Sequence, residues 1–296
     1  MLTKLISFAF FILLTLNCNL LKAQNKQEYL GVIKLNDTSL ISYNLNIIEN
    51  NGNISGFSIT DIGGNNETKS NISGNYNTKT NRLVFKEVGI IYTKSKVSDY
   101  DFCYINFDGK VTNINSRNNI SGKFKGEFND GSTCIDGEIA LKSIQKIEKK
   151  AKKVDNIIQK YKKIDKKVKS KISVLKTLDS LKMNVLKASE NLSMFTTSDS
   201  LKFKIYDAGK VDGDKITIFN NDTVLLKNFT VSKKIKELII PLKSKKTTIT
   251  IKALNIGTIS PNTAKVEIID GTNTVNTLTS LKKGEKTSIT IIKKQL

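Results

Sequence analysis

Residues 119–142 read NISGKFKGEFNDGSTCIDGEIALK. Ile120, Phe124 and Phe128 share one parity with Gly122 and Gly126, while Ser121, Lys123, Lys125 and Glu127 take the other. Asn129-Asp130-Gly131 interrupts the pattern, which resumes as Ile135, Ile139 and Leu141 against Asp136, Glu138 and Lys142. Successive side chains of a strand point to opposite faces. A period of two therefore marks strands with one buried face, here joined by a turn.

The same alternation runs upstream. Ile41, Tyr43, Leu45 and Ile47 alternate with Ser42, Asn44 and Asn46. Turn signals at Asn51-Gly52, 63–66, 77–81 and Asp108-Gly109 divide residues 24–142 into about eight expected strands. The tetrapeptide Asn-Ile-Ser-Gly occurs at 53–56, 71–74 and 119–122, each copy opening an expected strand. A glycine inside a strand permits the bend that closure of a sheet needs. Residues 24–142 are expected to form an N-terminal antiparallel β-barrel or sandwich, similar in style to up-and-down barrels.

The character changes at 143. Ile144, Ile147, Ala151, Val154, Ile158 and Tyr161 recur at spacings of three and four, and no Gly or Pro occurs between Gly137 and Gly209. The stripe continues less regularly to Val185. This periodicity predicts a Lys-rich amphipathic helical linker over 143–199, either one long helix of roughly 70 Å or two packed helices. The narrow stripe over 143–192 offers a surface for self-association, as in a coiled coil. From 200 to 296 strand patterns return, at 201–206, 215–220, 223–230, 235–241, 246–254, 264–269 and 287–293. Seven short strands predict a C-terminal antiparallel β-sandwich of immunoglobulin-like size. The fold class is mainly β with a long helical spacer.

The N-terminus reads as a signal peptide. Lys4 precedes the apolar run LISFAFFILLTL (5–16), and small Ala23 suits cleavage, so 1–23 would be removed. Removal takes Cys18 and leaves Cys103 and Cys134, which in an exported protein favour a disulfide. A bridge closing a loop of this length stabilises by about 3–4 kcal/mol in the chain-entropy picture.

Composition narrows the function. The 296 residues carry 48 Lys+Arg against 27 Asp+Glu, a net charge of +21, with no His and no Trp. Without His there is no Ser-His-Asp triad and no His-ligated metal. The charge is uneven: residues 24–140 hold 12 basic and 13 acidic side chains, whereas 141–187 hold 16 Lys and 4 acids. A basic surface of this kind suits an anionic surface polymer or membrane. It lacks the Arg and aromatic platforms of specific nucleic-acid readout. No nucleophile elbow, P-loop or dinucleotide fingerprint is present, and no catalytic residue is assigned.

The most specific local feature is Tyr206-Asp207-Ala208-Gly209-Lys210-Val211-Asp212-Gly213-Asp214. Asp207, Asp212 and Asp214 on one inter-strand loop are candidate calcium ligands, since calcium takes six to eight hard oxygens. The alternative is a turn in which Asp and Gly provide only turn geometry. No other cofactor is expected.

The string IYDAGKVDGDKITIFNND (205–222), followed by ALNIGTISPNTAKVEIIDG (253–271), resembles an uncharacterised β-sandwich domain of secreted and envelope proteins of Gram-negative bacteria. Residues 24–142 also resemble exported β-domains. The resemblance implies an accessory or interaction domain located in the periplasm, at the outer-membrane surface or outside the cell. The expected function is a non-enzymatic structural or interaction protein of the envelope, whose partner is an envelope protein or an anionic surface polymer. The alternative is a carrier holding a small apolar ligand inside the barrel. A third reading, a carbohydrate-active enzyme, requires two inward carboxylates in a cleft.

Overall fold

The computed structural model describes residues 25–35, 39–96, 101–111, 114, 119–161, 163–165, 168–169, 172–181, 183–271 and 273–294. The expected signal segment and Cys18 lie outside them.

Eight antiparallel strands come first: β1 (Asn25–Leu35), β2 (Ser39–Asn50), β3 (Asn53–Thr60), β4 (Thr68–Asn77), β5 (Arg82–Thr93), β6 (Tyr104–Lys110), β7 (Ile120–Glu127) and β8 (Thr133–Ser143). Each pairs with the next, and β8 pairs with β1, so the sheet closes as an up-and-down barrel. Of the two expected architectures, the barrel is the one formed. The inward positions carry the apolar parity of the sequence: Tyr29, Tyr43, Leu45, Ile47, Leu83, Phe85, Phe107, Ile120, Phe124, Ile139 and Leu141 are at most 3% exposed. The repeated tetrapeptide serves this wall. Ile54, Ile72 and Ile120 enter the core, and each following glycine shares their parity. A Cβ on Gly56 would stand 2.0 Å from the Asn46 carbonyl oxygen, so the close strand approach there requires glycine. The copies open β3 and β7, but the middle one lies inside β4.

Cys103 and Cys134 are bridged, with their Cα atoms 5.9 Å apart. The bridge ties the start of β6 to β8 across β7, and passes over Gly126, where a Cβ would meet Cys103 Sγ at 2.5 Å.

The long helical spacer is not formed. Helix α1 (Ile144–Lys160) stops at Tyr161, and α2 (Val174–Leu181) folds back against it. The alternative of two packed helices therefore holds, at shorter length. The turn-back is fixed by Asp155. Its carboxylate accepts Val174 N–H at 2.7 Å, Leu175 N–H at 3.2 Å and the Ser173 hydroxyl at 3.0 Å. It thus satisfies the open N–H groups at the start of α2, and these bonds, the Val174 N–H first, hold its pKa down. The buried face of α1 is Ile144 and Ala151, with Val154 turned out at 43% exposure. The stripe predicted through Val154 and Tyr161 is rotated, because Asp155 rather than Val154 meets α2.

Residues 184–196, assigned to the helical region by their sequence, are strands β9 (Asn184–Leu186) and β10 (Asn191–Thr196). They enter a second unit with β11 (Ser200–Tyr206), β12 (Lys215–Asn220), β13 (Thr223–Thr230), β14 (Lys236–Pro241), β15 (Lys246–Ala253), β16 (Lys265–Asp270), β17 (Asn273–Thr279) and β18 (Lys286–Lys293). Two strand rows, β13-β12-β15-β18-β10 and β14-β11-β16-β17-β9, share one apolar core. The pairs β10–β18 and β9–β17 are parallel, an addition to the antiparallel pattern expected.

The two units are joined directly. Beyond Glu87, β5 leaves its regular register with β4, and its Tyr92 and Thr93 pair with Met194 and Ser193 of β10. One sheet thus runs from the barrel into the second unit. Ile90, Ile91, Tyr92 and Thr93 are all buried, the mark of a strand covered on both faces. Lys94, with its side chain 4% exposed, donates to the Val185 carbonyl at 2.8 Å and stands 3.8 Å from Glu190.

Because the bridge closes a span of 31 positions, Cys134→Ser should lower unfolding free energy by about 3–4 kcal/mol. Urea denaturation of the oxidised wild type against the variant reads this, and a loss under about 1 kcal/mol would refute the barrel staple.

Candidate functional site

Among the described residues, places that could hold chemistry include the barrel interior, the loop of aspartates and hollows on the barrel's outer wall.

The barrel interior is filled. A water-filled hollow would leave its lining accessible, yet the inward apolar side chains named above are at most 3% exposed. One end is closed by Ile114, in the β6–β7 connection and 0% exposed. Its carbonyl accepts the Tyr29 hydroxyl at 2.9 Å, and its N–H donates to the Tyr76 oxygen at 3.3 Å. The one acid reaching this core from β5 is Glu87, which sequence reading did not single out. Its carboxylate accepts Ser58 Oγ–H at 2.5 Å, the Tyr43 hydroxyl at 3.0 Å and Ile105 N–H at 3.0 Å. Burial pushes the Glu87 carboxyl up, and the three hydrogen bonds oppose that shift. Burial and the neighbouring Glu87 push the Tyr43 hydroxyl well up. The signal in the sequence is one acid, Glu87, at a position whose parity is otherwise that of Leu83 and Phe85.

The aspartate loop brings together the two motifs of the resemblance. Asp212 accepts Ile259 N–H at 2.8 Å, and Asp214 accepts Thr263 N–H at 2.7 Å. Asn255 accepts Lys215 N–H at 2.7 Å and donates to the Gly213 carbonyl at 2.8 Å. Asn262 donates to the carbonyls of Lys215 and Asn255. Asp207 accepts Gly209 N–H at 2.6 Å. Residues 206–214 and 253–264 thus form one interlocked cluster of backbone and side-chain bonds. Burial pushes the Asp214 carboxyl up, against the Thr263 N–H and with added push from Asp212 and Asp207. Its Oδ1 is buried without a hydrogen-bond partner. Among the described residues, no group of three or more acids or cysteines is gathered where it could hold a metal ion. Asp212 and Asp214 serve as acceptors for the facing loop and Asp207 for its own, which is the geometry of the turn alternative.

The larger outer hollow, about 870 Å³, is a groove across β4 to β8 and β1. The register places it between two rows of outward side chains, one running Ser73, Lys86, Asn106, Lys125, Asp136 and the other Val84, Asp108, Lys123, Glu138, Lys34. Lysines and acids alternate along it. Asp108 is engaged by Arg82, which bonds both carboxylate oxygens and holds its pKa down. A second outer hollow, about 480 Å³, adjoins this groove around Asn77, Arg82 and Lys110. A further hollow, about 200 Å³, lies between the helices and the wall, lined chiefly by Leu30, Phe57, Ile59, Ile62, Ile144 and Leu178. That volume is below the range of ordinary ligand pockets. Lys69 stands 4.0 Å over the Phe57 ring. Burial, with some repulsion from Lys26, lowers its pKa to about 8.

No protein-family model, curated protein or solved structure matches the chain.

Two expectations follow. A raised Glu87 pKa means that its contribution to stability is fully present below the ordinary carboxylate value of 4.5 and is lost as pH rises through the folded value. The stability of wild type relative to Glu87→Gln should therefore fall as pH rises above the ordinary carboxylate value in urea melts; a constant difference would show an unshifted group. For the aspartate loop, thermal melts with calcium and with chelator should coincide. A calcium-dependent rise that Asp212→Ala abolishes would instead make Asp207, Asp212 and Asp214 a metal site.

Proposed function

We propose that this chain is an exported, non-enzymatic structural or interaction protein of a bacterial cell envelope. The observation that carries the proposal is the filled barrel. Its interior holds Tyr29, Tyr43, Phe85, Phe107 and Phe124 in place of a ligand, and Ile114 closes one end. A barrel of this kind provides a rigid body and an outer surface. The Cys103–Cys134 bridge suits an oxidising compartment, and the apolar run 5–16 suits export. The resemblance of residues 200–296 to secreted envelope domains supports the same placement. The partner is an envelope protein or an anionic surface polymer, met by the outer surfaces of the barrel, the helices and the second unit.

The carrier reading moves from the barrel interior to the hollow of about 200 Å³ under the helices, where Phe57, Ile59, Ile62 and Leu178 offer an apolar lining. Its volume admits only a small molecule.

The test is the mature protein itself. We expect expression in a Gram-negative host to yield, outside the cytoplasm, a chain beginning at Gln24. Its mass by native mass spectrometry should show the disulfide and no bound small molecule. A cytoplasmic chain retaining residues 1–23 would overturn export, and one equivalent of a co-purifying apolar molecule would favour the carrier.

A further inference from the structure

The helical hairpin carries a surface that is exposed among the described residues. Helix α1 is 17 residues long, about 25 Å. At 100° per residue, five of the six lysines of α1, namely Lys146, Lys149, Lys150, Lys153 and Lys160, fall within an arc of about 100°, with Lys152 about 60° outside it, and all six are exposed. The opposite arc holds Ile144, Ala151 and Asp155, which meet the barrel and α2. The two acids of α1, Glu148 and Asp155, lie on that inner side, and Asp155 is committed to the start of α2. The outer face is therefore of one sign.

It is also apolar. Val154, Ile157 and Tyr161, spaced as one stripe along the edge of the lysine arc, are 43%, 64% and 51% exposed. Val168 and Ile172, on the returning segment, are 47% and 41% exposed. Lysines beside exposed aliphatic and aromatic side chains on an amphipathic helix are the signature of a segment that lies in the headgroup region of a bilayer. A soluble polyanion would neutralise the lysines and leave Ile157 and Tyr161 in water. An anionic bilayer takes up both. No helix among the described residues is long and apolar enough to cross a membrane, so the surface would rest on the bilayer.

We propose that the outer face of α1 docks the protein on an anionic lipid bilayer, with Lys146, Lys149, Lys150 and Lys153 against phosphate headgroups and Ile157 and Tyr161 inserted at the boundary between headgroups and acyl chains. The proposal deepens the envelope reading by naming the partner, and rests on it only for which membrane is met in the cell.

The test uses residues 24–296, which contain every described residue and omit the apolar run 5–16. Sedimentation with phosphatidylglycerol–phosphatidylcholine vesicles should capture the protein, and pure phosphatidylcholine should not. Replacing Lys149, Lys150 and Lys153 with Gln should weaken binding on the order of 100-fold, at about fivefold for each lysine. The pair Ile157→Ser and Tyr161→Ser should release the protein from vesicles while its retention on heparin is unchanged. The chain has no Trp, so Ile157→Trp supplies a single reporter, whose emission should shift to the blue on anionic vesicles. All these positions are exposed, and coincident thermal melts check that the variants fold. Failure of the wild type to bind vesicles overturns the proposal and leaves export untouched. Serine variants that bind vesicles as tightly as wild type, or an unshifted Ile157→Trp emission, overturn it in favour of a soluble polyanion.

Discussion

The structure depends on what β5 does at Glu87. Up to that residue β5 is a barrel strand, paired with β4 on one side and β6 on the other. Past it, the strand bulges and turns to β10, which leaves the ladder at the start of β6 without its partner. A backbone N–H left unpaired in an apolar interior is unfavourable by several kcal/mol in the worst case. Glu87 resolves this by supplying a carboxylate oxygen to Ile105 N–H, while Tyr43 and Ser58 donate to its other side. The raised Glu87 pKa is the electrostatic consequence of placing an acid there. Removing the carboxylate would orphan three donors at once, which is why one polar side chain is tolerated inside an otherwise apolar wall.

This joint also explains why the helices are not a spacer. A separating rod is needed only if the two β-units stand apart, and β5 passes from one into the other. Tyr92 and Ile91 belong to the core of the second unit. Its hydroxyl places Tyr92 in the barrel loop as well, since it donates to Glu67 at 2.8 Å. With the units fused, the 143–183 segment is free to fold back on the barrel wall, and Asp155 fixes where it does so.

Much of the fold was legible in the sequence because period-two alternation reports burial on one face. Eight barrel strands and seven of the later ones follow from it. What was missed has separate physical causes. Residues 88–93, VGIIYT, do not alternate, because the strand is covered on both sides, and only a continuous apolar run of this sort could have announced the joint. Strand β10, NLSMFT, does alternate, with Leu192, Met194 and Thr196 buried. Its signal was overridden by the lysine-rich stripe before it. A helical period says which face is buried but not where the chain reverses; that was decided by Asp155 reaching Val174, nineteen residues on. At the aspartate loop, the sequence singled out Asp207, Asp212 and Asp214 as one local group. It could not show that Ile259 and Thr263, more than forty positions away, would bring backbone N–H groups to them. One oxygen each of Asp212 and Asp214 is engaged once the second motif is in place, while Asp214 Oδ1 is left without a hydrogen-bond partner.

The distribution of charge takes its meaning from the same geometry. Sixteen lysines over 141–187 would repel one another along a single rod. Folding the segment back shortens it but brings those charges closer, so the arrangement is not one that electrostatics alone would select. It is held by the Asp155 cap and by Ile144 and Leu178 against the wall, and both lie on the inner side. The outer side contributes nothing to this packing, yet it keeps Ile157 and Tyr161 in water beside the lysines. A sequence that drifted toward lysine without constraint would place them around the whole helix and would have no reason to retain large apolar side chains among them. Five of the six lysines of α1 share one exposed face with Ile157, while Lys152 lies outside it, and this clustering is the feature on which the proposed membrane docking rests.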